Sequence, residues 1–296
     1  MKKKIFFFGT PEISVPSLEA ISKLDDVEVI GVGVFPDRKV GRKQVLTPCP
    51  VKVAAKSLNL PVVEINNKEG LVNIFQDRDV DLGIVIAFGM IFPAEVLSQP
   101  EYGVVNVHFS LLPKYRGASP VQSAILAGDK TSGITFQQMR KELDAGDILL
   151  QEELDIQNKK TSTIFNEFAH HTAELIPSFL DKIFTSKITP LPQEESKKTL
   201  CTKFQKKDGE VFPTKETASK IWQKYLALDI WPGIYLATNK GNLKLTEISL
   251  VPTDNFHELS CAKDTSLFIK RAQLPGKNEM DIQDILRGNP DLFSGF

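Results

Sequence analysis

Apolar runs of strand length recur through the first half of the chain, at Lys4–Phe8, Val27–Phe35, Leu82–Ala87 and Gly103–Val107. Between them, "SVPSLEAISKL", "VKVAAKSLNL" and "GLVNIFQDR" carry apolar residues at three- and four-residue spacing, the period of an amphipathic helix. Strands that are apolar on both faces and alternate with helices predict a parallel sheet covered on each side. A third kind of texture begins at Thr161, where a long helical pattern runs to Phe184. The stretch that follows, "TSKITPLPQEESKKT", is polar, proline-punctuated and aperiodic, which predicts a connection. Beyond Leu200 a helix at Thr217–Ala227 precedes "WPGIYLAT", "GNLKLTEISLV" and "TSLFIKRAQL", short alternating runs as in a small antiparallel barrel. The expected fold class is therefore α/β: a Rossmann-like parallel sheet, then a smaller antiparallel β-barrel. The expected division is 1–187 for the first domain, 188–206 for the linker and 207–296 for the second domain.

A chain of 296 residues has room for two such domains. Its net charge of -1 gives no overall attraction for polyanions, so any nucleic-acid contact has to come from local basic patches. Two are present. "PDRKVGRKQVLTPCPVK" (36–52) sets five basic residues against Asp37, and "KKTLCTKFQKK" (197–207) sits at the domain junction. Either could equally be a solvated face. The three cysteines are far apart and form no CxxC pair, which predicts no zinc site, no redox dithiol and a reducing cytosolic setting. The apolar run behind "MKKK" spans only Ile5–Phe8, too short for a signal-peptide core, and no segment approaches the roughly 20 apolar residues of a membrane span. A soluble, cytoplasmic protein is expected.

Two stretches carry chemistry. In "NVHFSLLPKYRGASPVQ", Asn106 and His108 stand two apart at a strand's carboxyl end, so both side chains leave one face. An amide and an imidazole placed together can stabilise one developing oxyanion, and the imidazole can carry a proton. The alternative is a turn cap beside a half-buried structural histidine. In "MRKELDAGDILLQ", Asp144 and Asp147 flank Ala-Gly in a tight turn. An aspartate brought beside His108 would favour the protonated ring and fix its orientation; alone, the sequence is only a turn. "FFFGTPE" has the layout of a strand, a loop and a helix but lacks the GxGxxG of a dinucleotide site.

Together these stretches resemble the 10-formyltetrahydrofolate-dependent formyltransferase family. The likeness rests on Asn106-x-His108-x-Ser110-Leu111-Leu112-Pro113, on Arg116-Gly117 and on Asp144 in its turn. "GTPE", "VPSLEA", "PDRxxGR", "RGASPVQ", "GDKTSGIT" and "WPG" narrow it to members whose acceptor is initiator methionyl-tRNA. The resemblance implies that Asn106 and His108 polarise the formyl oxygen and that Asp144 pairs with His108. It implies a folate pocket from Ser110, Leu111, Leu112, Pro113, Met90 and Ile91. It implies tRNA contacts from Arg42, Lys206 and Lys207. It calls for 10-formyltetrahydrofolate as donor, no metal, no membrane, and a monomer. The resemblance makes the second domain an OB-like β-barrel that would hold the tRNA body, here shortened between "LKLTEISLV" and "TSLFIKRAQL". Two positions also depart from the family pattern: Ile13 stands where Phe is common, and Phe109 replaces a small residue. The rival readings are transfer to an amino sugar nucleotide, transfer to glycinamide ribonucleotide, and a non-catalytic folate- or RNA-binding protein.

Overall fold

The computed structural model describes residues 1–41, 43–252 and 254–296. Contacts divide them into two compact units. The first comprises Met1–Pro120, Thr131–Asp155 and Phe165–Cys201; the second comprises Val121–Lys130, Ile156–Ile164 and Thr202–Phe296.

In chain order the strands of the first unit are β1 (Lys3–Gly9), β2 (Val27–Val34), β3 (Arg38–Val40), β4 (Val45–Thr47), β5 (Val62–Glu64), β6 (Leu82–Ile86), β7 (Val104–His108), β8 (Arg116–Gly117), β9 (Thr131–Gln138), β10 (Ile148–Asp155) and β11 (Leu200–Cys201). Its helices are α1 (Val15–Ser22), α2 (Pro50–Ser57), α3 (Lys68–Gln76) and α4 (Ala94–Leu97). Two further helices, α5 (Pro120–Ala127) and α6 (Thr161–Phe184), have their residues shared between the two units. The main sheet runs β10-β9-β7-β6-β1-β2-β5. Strands β5, β2, β1, β6 and β7 pair in parallel, and β9 and β10 are antiparallel. This is the expected Rossmann-like, parallel-dominated sheet with one antiparallel margin that periodicity does not reveal. β9 is rich in Thr and Gln, and β10 passes from Ile-Leu-Leu into Gln-Glu-Glu-Leu-Asp on a half-exposed margin, so neither is a continuous apolar run.

Packing explains the order at the centre. Phe6, Phe7 and Phe8 of β1 are fully buried, and all five residues of β6 are buried. Phe6 and Phe8 sit beside Gly31 and Gly33 of β2, where an added Cβ would lie 2.3 Å and 2.7 Å from their rings. The glycines let large aromatic rings lie across the neighbouring strand. The rings of Phe8, Phe75, Phe88 and Phe92 then gather at 5.0–6.2 Å around the carboxyl ends of β1 and β6. Each such side chain contributes roughly 1.5–3 kcal/mol through burial. The ends of these strands are therefore rigid supports for whatever lies beyond them.

The segment after Phe184, expected to be a linker, is bonded within the first unit. Ile148 and Leu191 exchange backbone hydrogen bonds of 2.8 Å and 2.9 Å, and β11 pairs in parallel with β8. A two-residue strand and side-chain bonds leave no periodic trace in the sequence.

The second unit carries α7 (Ala218–Ala227), then β12 (Ile234–Thr238), β13 (Gly241–Ser249), β14 (His257–Cys261), β15 (Thr265–Gln273), β16 (Met280–Asp281) and α8 (Ile282–Gly288). Its five strands form one antiparallel sheet, the strand number of an OB-type barrel. The interval expected to be short holds the five-residue β14. Among the described residues no helix is long and apolar enough to cross a membrane.

Candidate active site

Ligand sites of open α/β sheets lie beyond the carboxyl ends of parallel strands. Here β6 and β7 end at a cavity of about 480 Å³, lined by Val85–Ile91, Asn106–Phe109, Gly117, Asp144 and the side chains of Ile13, Met139, Leu143 and Phe165, among others. The wall is largely apolar, with polar groups gathered at one end. Ser14 fixes the near rim, its hydroxyl donating to the Ile86 carbonyl at 2.8 Å. Ile13, one residue earlier, faces the cavity.

Asn106 and His108 share one face of β7, as their spacing requires. The antiparallel neighbour β9 sets Gln137 opposite Asn106 and Thr135 opposite His108. His108 is buried, its Nε2 lying 2.9 Å from the Tyr115 carbonyl and its Nδ1 3.7 Å from Asp144 Oδ2. The Asp144 carboxylate is held from two more sides: Oδ2 accepts from the Gly117 N–H at 2.9 Å, and Oδ1 from Gln137 Nε2 at 2.8 Å. Asp144 itself sits at φ 51°, in the left-handed region, and Tyr115 at φ 60°. Both ring nitrogens of His108 therefore face acceptors, a carbonyl and a carboxylate. A protonated ring finds a partner on each side.

The structure brings Asn106, His108 and Asp144 to one cavity, together with Met90 and Ile91. Ser110–Pro113, expected in the folate pocket, form a tight turn directly after β7 and do not line this cavity. Ser110 Oγ donates to the Lys114 carbonyl at 2.7 Å, and Thr135 Oγ1 donates to the Ser110 carbonyl at 2.6 Å. Gln151 Nε2 donates to the Leu112 carbonyl at 3.0 Å, so the turn is pinned from the sheet margin. Phe109 packs edge-on against Phe168 of α6. Lys206 and Lys207 lie in a short 3-10 turn with exposed side chains, and Arg42 lies outside the described residues. Among the described residues of the 36–52 stretch, β3 and β4 pair as an exposed hairpin. Its ends are tied where buried Lys52 meets Asp37 and Glu64, each at 2.6 Å, and these two carboxylates push the Lys52 pKa up. Among the described residues no cluster of three or more His, Cys, Asp or Glu could hold a metal.

Comparison with known proteins decides the family. A formyl transferase family model matches residues 1–180, and a model of the formyl transferase C-terminal domain matches residues 203–290. The chain belongs to the formyl transferase family. This formyl transferase is 38% identical over 303 residues to a methionyl-tRNA formyltransferase of Nitratiruptor sp., with 96% of each chain covered. Among solved structures, it superposes on the N-formyltransferase from Helicobacter canadensis, in complex with folinic acid and dTDP-3-aminofucose, with a TM-score of 0.68. That match has 19% identity and covers 91% of this chain and 99% of the other. HypX from Aquifex aeolicus in complex with tetrahydrofolic acid gives a TM-score of 0.66 at 15% identity, covering all of this chain. The formyl transferase spans about half of HypX, 48% of its length. At such identities the solved structures speak to the fold alone.

Sequence reasoning gave no site role to three residues of the polar cluster. Gln137 reaches Asp144 only through strand register, and Gly117 only through its backbone N–H. Gln193, from the expected connection, donates to the carbonyls of Asp144 and Gly146 at 2.9 Å and 2.7 Å.

Proposed function

We propose that this chain transfers the formyl group of 10-formyltetrahydrofolate to the α-amino group of initiator methionyl-tRNA. The observation that carries the reading is near-complete, 38% identical coverage of a protein bearing that activity's name, joined to Asn106, His108 and Asp144 around one cavity. An apolar wall with polar groups beside it supports the reading of a folate site. The cavity's wall at Phe88–Ile91 is largely apolar, and the chain there turns through Ala87 (φ 48°) and Gly89 (φ 78°).

Bound 10-formyltetrahydrofolate would supply an activated one-carbon acyl group. The chain's own groups then have defined tasks. The Asn106 amide and the His108 imidazolium would donate to the carbonyl oxygen, where negative charge grows as the amine lone pair forms the new N–C bond. Asp144 would hold the imidazole by its Nδ1 edge while Tyr115 gives up its claim on Nε2. Collapse returns the electron pair from oxygen to carbon and sends the C–N bonding pair to the departing folate nitrogen. His108 would give its Nε2 proton to that nitrogen and then take one from the former amine, with Asp144 steadying the ring on its Nδ1 side. The net transfer is one proton from amine to folate nitrogen. Met90 and Ile91 would flank the pterin, and the Ser110–Pro113 turn would shape the pocket from behind.

The tRNA would meet the 36–52 loop, with Arg42, and the lysines Lys206 and Lys207. Phosphate contacts of this kind give affinity rather than sequence choice. A catalytic domain at 1–187, a linker at 188–206 and a tRNA-holding domain at 207–296 belong to the same reading, as do a monomer and a cytoplasmic site of work. Incubation with 10-formyltetrahydrofolate and either charged initiator tRNA or amino sugar nucleotides tests it. Formyl-methionyl-tRNA is the expected product; formylation of the sugar alone would overturn the assignment.

A further inference from the structure

Residues 181–202 fall between the two family-model matches, yet this stretch is bonded to the turn that carries Asp144. Gln193 is its inner contact. Its Nε2 donates to two carbonyls of one turn, those of Asp144 and Gly146, and its Oε1 accepts from Arg116 Nε at 2.9 Å. Arg116 is itself buried and places a second guanidinium nitrogen 2.6 Å from Glu195 Oε1. That guanidinium, aided by Lys198, holds the Glu195 carboxyl down at about 2, so the pair stays charged near neutral pH. The same stretch reaches the other half of the pair through Tyr115, whose carbonyl faces His108 and accepts from Cys201 Sγ at 3.2 Å. The Tyr115 N–H donates to Thr199 Oγ1 at 2.8 Å.

We propose that Gln193 is a positioning residue for Asp144, setting where the carboxylate stands against His108. The role given to Asp144 rests on the function proposed above. Three features argue for Gln193 as more than a surface tie. Asp144 occupies a left-handed backbone conformation, uncommon outside glycine and asparagine or aspartate, and the bonds from Gln193 to its carbonyl and to that of Gly146 hold the turn in it. The turn is tightly enclosed: a Cβ on Gly146 would lie 1.5 Å from the Gln138 carbonyl oxygen. Only a neutral amide offers N–H donors to two carbonyls and an oxygen to a guanidinium at once. Glutamate would keep the bond to Arg116 but set acceptors against acceptors at the turn.

The test compares Gln193→Glu and Gln193→Met in the full chain, with thermal unfolding recorded for each. Turnover is expected to fall about tenfold or more, with KM for folate and tRNA held within about twofold, as for a displaced catalytic group. In an Asp144→Asn background the same changes are expected to cost less than about twofold, because their effect passes through the missing carboxylate. The NMR titration of His108, one of four histidines, should move in Gln193→Met in the same direction as in Asp144→Asn. Equal losses in both backgrounds, or a His108 titration that stays put, would overturn the proposal. The titration needs no substrate, so a chain that formylates some other acceptor defeats the functional reading while Gln193 is still decided.

Discussion

Gln137 stands directly across the sheet from Asn106, and its side-chain amide donates to Asp144 Oδ1 at 2.8 Å. Its own Oε1 is buried and has no hydrogen-bond partner among the described residues. An unsatisfied buried carbonyl costs about 1–3 kcal/mol. Gln137→Leu should therefore cost little in folding, since it removes that orphan, while Asp144 loses a donor. Turnover is expected to drop with a thermal midpoint near wild type. A large fall in midpoint with unchanged turnover would place Gln137 in the core's service rather than the site's.

Asn106→Ala and His108→Ala should each lower turnover by about a hundredfold, the usual loss for one oxyanion donor. The histidine-like limb of the pH–rate profile should move in Asp144→Asn. Wild-type rates in both alanine variants, or superimposable profiles for Asp144→Asn, would make the cluster structural.

Gly117 combines φ 127° with a Cβ position 2.0 Å from the Cys201 carbonyl oxygen. Its N–H is also one of the donors to Asp144. Gly117→Ala should part β8 from β11 and weaken both stability and turnover. Denaturant unfolding and a rate assay on one preparation would reveal either loss; a variant equal to wild type in both would contradict the packing.

Lys206 and Lys207 carry exposed side chains in their short turn. Replacing each with Ala should weaken tRNA binding across sequences and lower the salt dependence of log K by about one for each phosphate no longer neutralised. Filter binding over a salt series measures this. An unchanged slope with weaker binding would point to folding rather than charge.

His257 stacks on Phe293, with ring centres 4.4 Å apart, and burial pushes its imidazole below the ordinary value of 6.5. The folded state thus favours the neutral ring, while the unfolded chain takes up a proton below that value. The sign is a penalty on folding that grows as pH falls below 6.5 and levels off under the folded pKa. His257→Phe should flatten the decline in thermal midpoint between about pH 7 and 5. An equally steep decline in the variant would show that another group governs it.

Much of this was legible because short-range rules suffice for it. Phe6–Phe8 and Leu82–Ile86 are apolar without alternation, as only doubly covered strands can be, and they announce a buried parallel sheet. The two-residue spacing of Asn106 and His108 puts them on one face in any strand. β9 and β10 were not legible in full, since Thr, Gln and Glu beside Leu and Ile read as turn or margin until a neighbouring strand accepts them. The tie from Gln193 was hidden for a similar reason: a single amide in a polar stretch has no period.

The sequence by itself determined the layering, the family and which residues could do the chemistry, because side-chain type and strand period are local properties. Only the tertiary structure decided that Asp144 faces His108, that Gln137 and Gly117 hold it, and that Gln193 and Arg116 fix the turn beneath it. Those contacts join segments remote in the chain, and their partners are set by strand register and by buried polar groups finding one another where water is excluded.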